Sequence, residues 1–180
     1  MPDLIFTDPR LVMLYDDFDG LRDDLPHYLT IARTLGAQTI LDVGCGTGSL
    51  ASLLSAHGLD VTALDPARAS LDFARQKPHA DRVRWIHGEA EDLPPLSVDM
   101  ATMTGNVAQV FLTDDAWMRN LSAIRNALRP GGYLVFEARD PNAKAWQRWT
   151  RERTTRRMDV AGVGTVEGWC DVTQVRGEFG

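Results

Sequence analysis

The chain has 180 residues, 44% of them hydrophobic and 24% charged, a size and balance that suit one compact globular domain with its own core. Its net charge of −6 argues against a nucleic-acid partner, and no apolar run approaches the roughly 20 residues of a membrane helix. Two distant cysteines, Cys45 and Cys170, argue against a disulfide framework or a zinc site. With an N-terminus that lacks a signal-peptide pattern, they point to a reducing cytoplasm.

Residues 1–20 are acidic with scattered apolar side chains, and loop with short helix is expected there. Leu25, Tyr28, Leu29, Ala32 and Leu35 recur at helical spacing, with Asp24 as N-cap, Pro26 in the first turn and Gly36 as the stop. Thr39–Val43 reads as a buried strand that breaks into Gly44, Gly46 and Gly48, and a helix follows to about His57. Asp60–Leu64 is a second strand closed by Asp65-Pro66. Ala67, Leu71 and Ala74 mark the next helix, and Val83–Ile86 is a third strand.

A fourth strand lies within Val98–Thr104. Thr113 or Asp114 caps a helix with a stripe of Trp117, Leu121, Ile124 and Leu128, which Arg129-Pro-Gly-Gly132 terminates before a fifth strand, Tyr133–Phe136. Strands alternating with helices predict a doubly wound, mostly parallel α/β sheet covered on both faces. Asp65, the stretch from Glu89 to Asp92, and Gly105-Asn106 all follow strands, so they share one rim with the glycine turn. That rim is where open parallel sheets bind ligands.

The glycines sit at alternate positions, which puts the third one place too early for a dinucleotide GxGxxG turn. An NAD-dependent oxidoreductase is therefore the weaker alternative. The tighter turn, with Asp42 in the preceding strand, resembles motif I of class I S-adenosylmethionine-dependent methyltransferases. Asp65 stands where that family carries its ribose-binding carboxylate. Gly88-Glu-Ala-Glu-Asp-Leu-Pro94 resembles the family's adenine motif, with Glu89 in place of the usual Asp. Leu128-Arg-Pro-Gly-Gly-Tyr-Leu-Val135 resembles the segment leading into the fifth strand. The resemblance covers roughly residues 10 to 140 of this chain.

What the resemblance implies is a Rossmann-like methyltransferase sheet that binds S-adenosyl-L-methionine. Residues 1–36 would form an N-terminal cap, 37–140 the cofactor core, and 141–180 a partial substrate-side region. Gly44, Cys45 and Gly46 would lie against the methionine moiety, and Asp42 would support its ammonium. Asp65, with Pro66, would take the ribose hydroxyls, because a carboxylate offers two acceptor oxygens. Glu89 and the Ala90 N–H would read the adenine, Asn106 would border the methyl donor, and Tyr15 would cover the site. On this reading Asp65→Ala weakens cofactor binding with little effect on folding.

Bland alternatives stand beside these roles. Asp65-Pro66 also suits a turn and helix cap, Glu89 to Asp92 a solvated loop, and Tyr15 a packing residue. Cys45 has no paired His and reads as a filler of the turn. Asp140 reads as a base or, more simply, as a turn cap. The acceptor is expected to be a small molecule. No Asp/Asn-Pro-Pro-Tyr element follows the fourth strand, where Thr104-Gly-Asn-Val107 stands, which argues against amino methylation of nucleic-acid bases.

The stretch from Lys144 to Arg157 carries six cations against Glu152. It is expected to be a helix, either a solvated basic face or, with Trp146 and Trp149 as stacking platforms, a site for an acidic substrate or RNA. Val163 to Val175 is expected to supply one strand, leaving none for the second member of the family's final hairpin. The last strand of the sheet would then be missing by truncation, or its open edge covered by a second copy in a homodimer. A methyltransferase-like binding module without turnover is the reading that such a loss would favour.

Overall fold

The computed structural model describes residues 3–20 and 22–175. Contacts divide the chain into two compact units, with the boundary between Ala138 and Arg139.

The first unit opens with α1 (Leu4–Thr7) and α2 (Pro9–Asp19). Asp8 caps α2 by accepting from the Arg10 N–H, with Pro9 in the first turn and Gly20 closing the helix in the left-handed region. So most of the acidic opening stretch is helical, and α1 and α2 pack on a later helix, α5 (Arg68–Ala74). In α3 (Leu25–Thr34) the residues Leu25, Tyr28, Leu29 and Ala32 are buried, as their spacing predicts. Asp24 occupies the cap position but makes no side-chain cap bond, because its carboxylate pairs with Arg22 instead.

Then come β1 (Thr39–Val43), α4 (Ser49–Ala56), β2 (Asp60–Asp65), α5 (Arg68–Ala74), β3 (Val83–His87), β4 (Val98–Met103), α6 (Asp114–Ala127) and β5 (Leu128–Phe136). The five strands are parallel in the order β3-β2-β1-β4-β5. The period of two along β1 serves two cores. Ile40 packs with α3 and α4 residues such as Ala32 and Leu54. Leu41 and Val43 pack on the other face with Ile124 and Ala127 of α6. Strands are added outward on one side of β1 (β2, β3) and then on the other (β4, β5), so the glycine turn after β1 lies at the switch point of the sheet.

Helix α6 starts as the sequence predicts, with the Thr113 hydroxyl accepting from Ala116 and two aspartates in the first turn. Its end differs. Leu128 is already extended, and β5 includes Arg129-Pro-Gly-Gly132 instead of starting at Tyr133. Proline's fixed φ is compatible with extended backbone, and β5 is an edge strand of this sheet, where a missing N–H costs little.

The second unit departs most from expectation. In place of one helix from Lys144 to Arg157 there is a short 3-10 turn (Ala145–Arg148), then α7 (Arg151–Thr154), and Arg156 already begins a strand. The β-branched pair Thr154-Thr155 disfavours continuing the helix. Two strands are present, not one: β6 (Arg156–Val160) and β7 (Gly164–Gly168) form an antiparallel hairpin around Gly162, with Arg157 opposite Glu167. Arg151 stacks on Trp169 with its guanidinium 4.0 Å from the ring centre. Residues 176–180, on which the expectation of a missing strand also leaned, lie outside the described residues.

Candidate functional site

The carboxyl ends of β1, β2 and β3 are stitched together by consecutive hydrogen bonds. The N–H groups of Gly44 and Cys45 both donate to the Leu64 carbonyl, at 2.8 and 3.0 Å. Gly46 donates its N–H to Oδ2 of Asp65 at 2.7 Å, and Ala67 donates to Oδ1 at 2.7 Å. The Gly88 N–H completes the series on the Asp65 carbonyl at 3.1 Å. Asp65 is therefore both a brace of the glycine turn and a start signal for α5. Each of its oxygens has met one donor, and a carboxylate oxygen accepts two, so one acceptor position per oxygen is left. Burial raises its pKa, partly opposed by the two backbone donors.

Asp42 sits in the middle of the sheet on β1. Its Oδ1 accepts from the Thr102 hydroxyl of β4 at 2.8 Å. Its Oδ2 is buried and meets no partner among the described residues. Desolvation pushes its pKa up to about 7; the Thr102 bond opposes this and the nearby Asp65 charge adds to it. A buried acceptor without a donor is costly, and such atoms in a native fold call for a specific explanation. An ammonium group arriving at the turn would satisfy this oxygen and favour its charged form.

The three glycines have three different reasons. A Cβ on Gly46 would meet no atom within 4 Å, so that position is open to an approaching ligand. A Cβ on Gly44 would strike the Val107 side chain at 2.5 Å. A Cβ on Gly48 would strike the Trp85 ring of β3 at 2.5 Å and Ala74 of α5 at 2.9 Å. Gly48 therefore serves helix-to-sheet packing, and it also caps α4 in the left-handed region with φ 75°. Cys45 is half-buried between the first two glycines, with burial holding its thiol well above its ordinary pKa. It is protonated at neutral pH and is no nucleophile.

Of the remaining predicted site residues, Pro66, then Glu89 and Ala90, then Asn106 follow the ends of β2, β3 and β4. Pro66 follows Asp65, and its carbonyl lies 3.1 Å from Nε2 of His87. Glu89 is exposed and heads a 3-10 turn, Ala90–Asp92, as half of a reciprocal capping pair with Asp92. Its N–H donates to Asp92 at 2.9 Å, while Ala90 is buried beneath it. Asn106 follows β4 with φ 68° and heads the 3-10 turn Val107–Val110. Tyr15 lies on α2 with its ring 5.3 Å from that of Phe6, so it has packing neighbours within the N-terminal helices. Asp140 caps a turn by accepting from the Asn142 N–H at 2.9 Å.

Several residues that shape the site carry no signal in the sequence. Asp16 of α2 accepts from the Thr47 hydroxyl at 2.6 Å and pairs with Lys77, which also donates to Ser49 at 2.9 Å. This clasp fixes the N-terminal helices to the glycine turn. Glu137, just after β5, receives donors from the turn after β4 and from Tyr28. Beside the rim, a groove of about 630 Å³ runs between residues 90–96 and α6, walled by Leu93, Leu96, Met118 and Ala123. Ala90 is the one predicted site residue in its wall.

Comparison with known proteins bears on this arrangement. A family profile described as a methyltransferase domain matches residues 40–132. Malonyl-[acyl-carrier protein] O-methyltransferase of Pectobacterium atrosepticum is 32% identical over 155 residues, covering 83% of this chain and 60% of that protein. The cypemycin N-terminal methyltransferase of a Streptomyces species is 33% identical over 110 residues, covering 61% of this chain and 45% of that one. Among solved structures, SAM-bound CalS10, an amino pentose methyltransferase of Micromonospora echinaspora, superposes with a TM-score of 0.62 at 24% identity. That match covers 78% of this chain and 59% of the other. The chain spans about half the length of the curated relatives it matches.

Proposed function

Because the chain belongs to the class I S-adenosylmethionine-dependent methyltransferases, we propose that it transfers the methyl group of that cofactor to a small or medium-sized acceptor. The observation that carries this reading is the buried, unpartnered Oδ2 of Asp42 beside a glycine turn whose Gly46 is open. A phosphate-bearing dinucleotide would bring negative charge toward two carboxylates, Asp42 and Asp65. A cofactor with an ammonium, a ribose diol and an adenine brings donors instead.

In this reading Asp42 receives the ammonium, and the remaining acceptor positions of Asp65 receive the ribose hydroxyls. Glu89 and the Ala90 N–H meet the adenine, with Pro66 lining the ribose. Gly44, Cys45 and Gly46 face the amino-acid part, Asn106 borders the methyl-bearing end, and Tyr15 covers it from the N-terminal cap.

When bound, S-adenosylmethionine supplies a methyl group already activated as a sulfonium substituent. The protein's part is alignment for an in-line displacement and exclusion of water, and no dedicated base is required unless the acceptor is protonated. The relatives are named for different acceptors, malonyl-[acyl-carrier protein], the N-terminus of cypemycin and an amino pentose, and the fold alone does not choose among such groups.

Calorimetric titration with S-adenosylhomocysteine tests the reading directly. Micromolar binding is expected. A well-folded protein that ignores this ligand and binds NADH instead would overturn it.

A further inference from the structure

Glu137 lies half-buried one residue beyond β5, and its two oxygens serve two different parts of the first unit. Oε1 accepts from the backbone N–H of Gly105 at 2.8 Å and of Asn106 at 3.3 Å. Oε2 accepts from the hydroxyl of Tyr28, whose ring is buried in α3 against the core. Three donors thus converge on one group from α3 and from the turn after β4. A carboxylate is the side chain suited to this, because it only accepts and its bonds are charge-assisted.

The turn that Glu137 holds is one that needs holding. Gly105 and Asn106 both have positive φ, 66° and 68°, and a non-glycine residue keeps that conformation at some cost unless its surroundings fix it. Asn106 in turn starts the 3-10 turn whose first residue, Val107, lies over Gly44. A continuous set of contacts therefore runs from Tyr28 through Glu137 to Asn106 and Val107, and ends on the glycine turn.

We propose that Glu137 is a positioning residue of the methyl-transfer site: it fixes the Gly105–Asn106 turn so that Val107 packs on Gly44 and Asn106 borders the methyl-bearing end of the cofactor. The Tyr28 hydroxyl holds the Glu137 carboxylate in that orientation. This rests on the cofactor reading above. It assigns the end of β5 a role in shaping the site through the Gly105–Asn106 turn.

The test uses the full chain and the variants Glu137→Ala, Glu137→Gln and Tyr28→Phe. Affinity for S-adenosylhomocysteine is measured by calorimetry, and the amide resonances of Gly105 and Asn106 by NMR. Loss of the charged acceptor in Glu137→Ala is expected to weaken binding about tenfold and to move both amide protons upfield. Glu137→Gln keeps one oxygen for the two amides and is expected to restore most of the affinity. Tyr28→Phe falls between them.

A Glu137→Ala protein that melts earlier but binds like the wild type, with both amide resonances in place, would overturn the proposal. Should that variant fail to fold, Tyr28→Phe decides: wild-type affinity and unmoved Gly105 and Asn106 amides in it count against the proposal. Absence of binding by the wild type would overturn the cofactor reading and this role with it, while the amide shifts would still report whether the brace exists.

Discussion

Thr102 of β4 donates its hydroxyl to Oδ1 of Asp42 across the parallel ladder, directly opposite it in register, while Oδ2 of the same carboxylate meets no donor among the described residues. That asymmetry makes Asp42 a group whose charge state depends on what binds. Its pKa is raised from an ordinary 3.8 to about 7 by burial. The folded state then holds the proton more tightly than the unfolded chain. The associated stability is fully present below about pH 4 and is lost as pH rises toward and through about 7. Asp42→Asn keeps an oxygen for Thr102 and removes the buried charge. It should stabilise the free protein by about 2 kcal/mol or more at pH 8, with little gain at pH 4. It should also weaken S-adenosylhomocysteine binding, since the ammonium loses its counter-charge. Melting curves of both proteins across that pH range check the first point, and a stability difference that stays flat with pH would remove the argument.

Asp65 carries a double duty that changes the expectation for its substitution. From the sequence alone, Asp65→Ala should impair cofactor binding and leave folding almost intact. The geometry says otherwise, because the same side chain accepts from Gly46 and Ala67. Removing it strands two backbone donors, one of them on the buried Ala67, at a cost on the order of 1–3 kcal/mol. Asp65→Ala should therefore lower the melting temperature and weaken cofactor binding more than tenfold. Differential scanning calorimetry and titration of the folded variant separate the two effects. An unchanged affinity would show that the ribose contact belongs elsewhere.

Much of this architecture is legible in the chain because it is local. The bounds of β1 and the apolar stripe of α6 follow from periodicity and caps that neighbouring residues supply. The residues that brace the site are not local. Tyr28 and Glu137 are 109 positions apart and Thr47 and Asp16 are 31 apart, and neither pair follows any helical or strand period. Each looks like an ordinary helix or loop residue until the sheet brings it to its partner. The basic stretch before Arg157 misleads for the opposite reason: its composition suits a helix, but Gly162 and Gly164 let Arg156–Val160 fold back on β7. Extended pairing prevails over a weak helical preference.

Gly48 offers a test of the packing explanation for the third glycine. Its left-handed φ of 75° and the Trp85 ring 2.5 Å from any added Cβ oppose substitution independently. Gly48→Ala should cost about 2 kcal/mol or more, because backbone strain and displacement of a rigid ring add. Gly46→Ala meets strain alone and should destabilise less, yet it should interfere with the cofactor more, since its Cβ would project into open space. Paired measurements of melting temperature and S-adenosylhomocysteine affinity check this crossing of effects. If Gly46→Ala were the less stable of the two, the division of labour between the glycines would be wrong.

Asp99 anchors the start of β4, far from the chemistry of the rim. Its Oδ2 accepts from the N–H groups of Gln38 and Thr39 and from the Thr39 hydroxyl at 2.8 to 2.9 Å, and Oδ1 pairs with Arg129. The backbone donors of Gln38 and Thr39, then Arg129, hold its pKa well below the ordinary carboxylate range. A depressed pKa means the unfolded chain binds the proton more readily. Asp99 therefore adds stability that is present above about pH 4 and lost as pH falls below it. Asp99→Asn replaces an acceptor with a donor facing donors, and should cost about 2 kcal/mol at pH 7. The gap between wild type and variant should narrow steadily on acidification below pH 4. S-adenosylhomocysteine affinity should stay near the wild-type value, since Asp99 joins strand starts and not the carboxyl ends that we propose hold the cofactor. Chemical denaturation at pH 7 and pH 3 measures the gap, and an equal loss at both would mean that the carboxylate's charge has no part in holding β1 to β4.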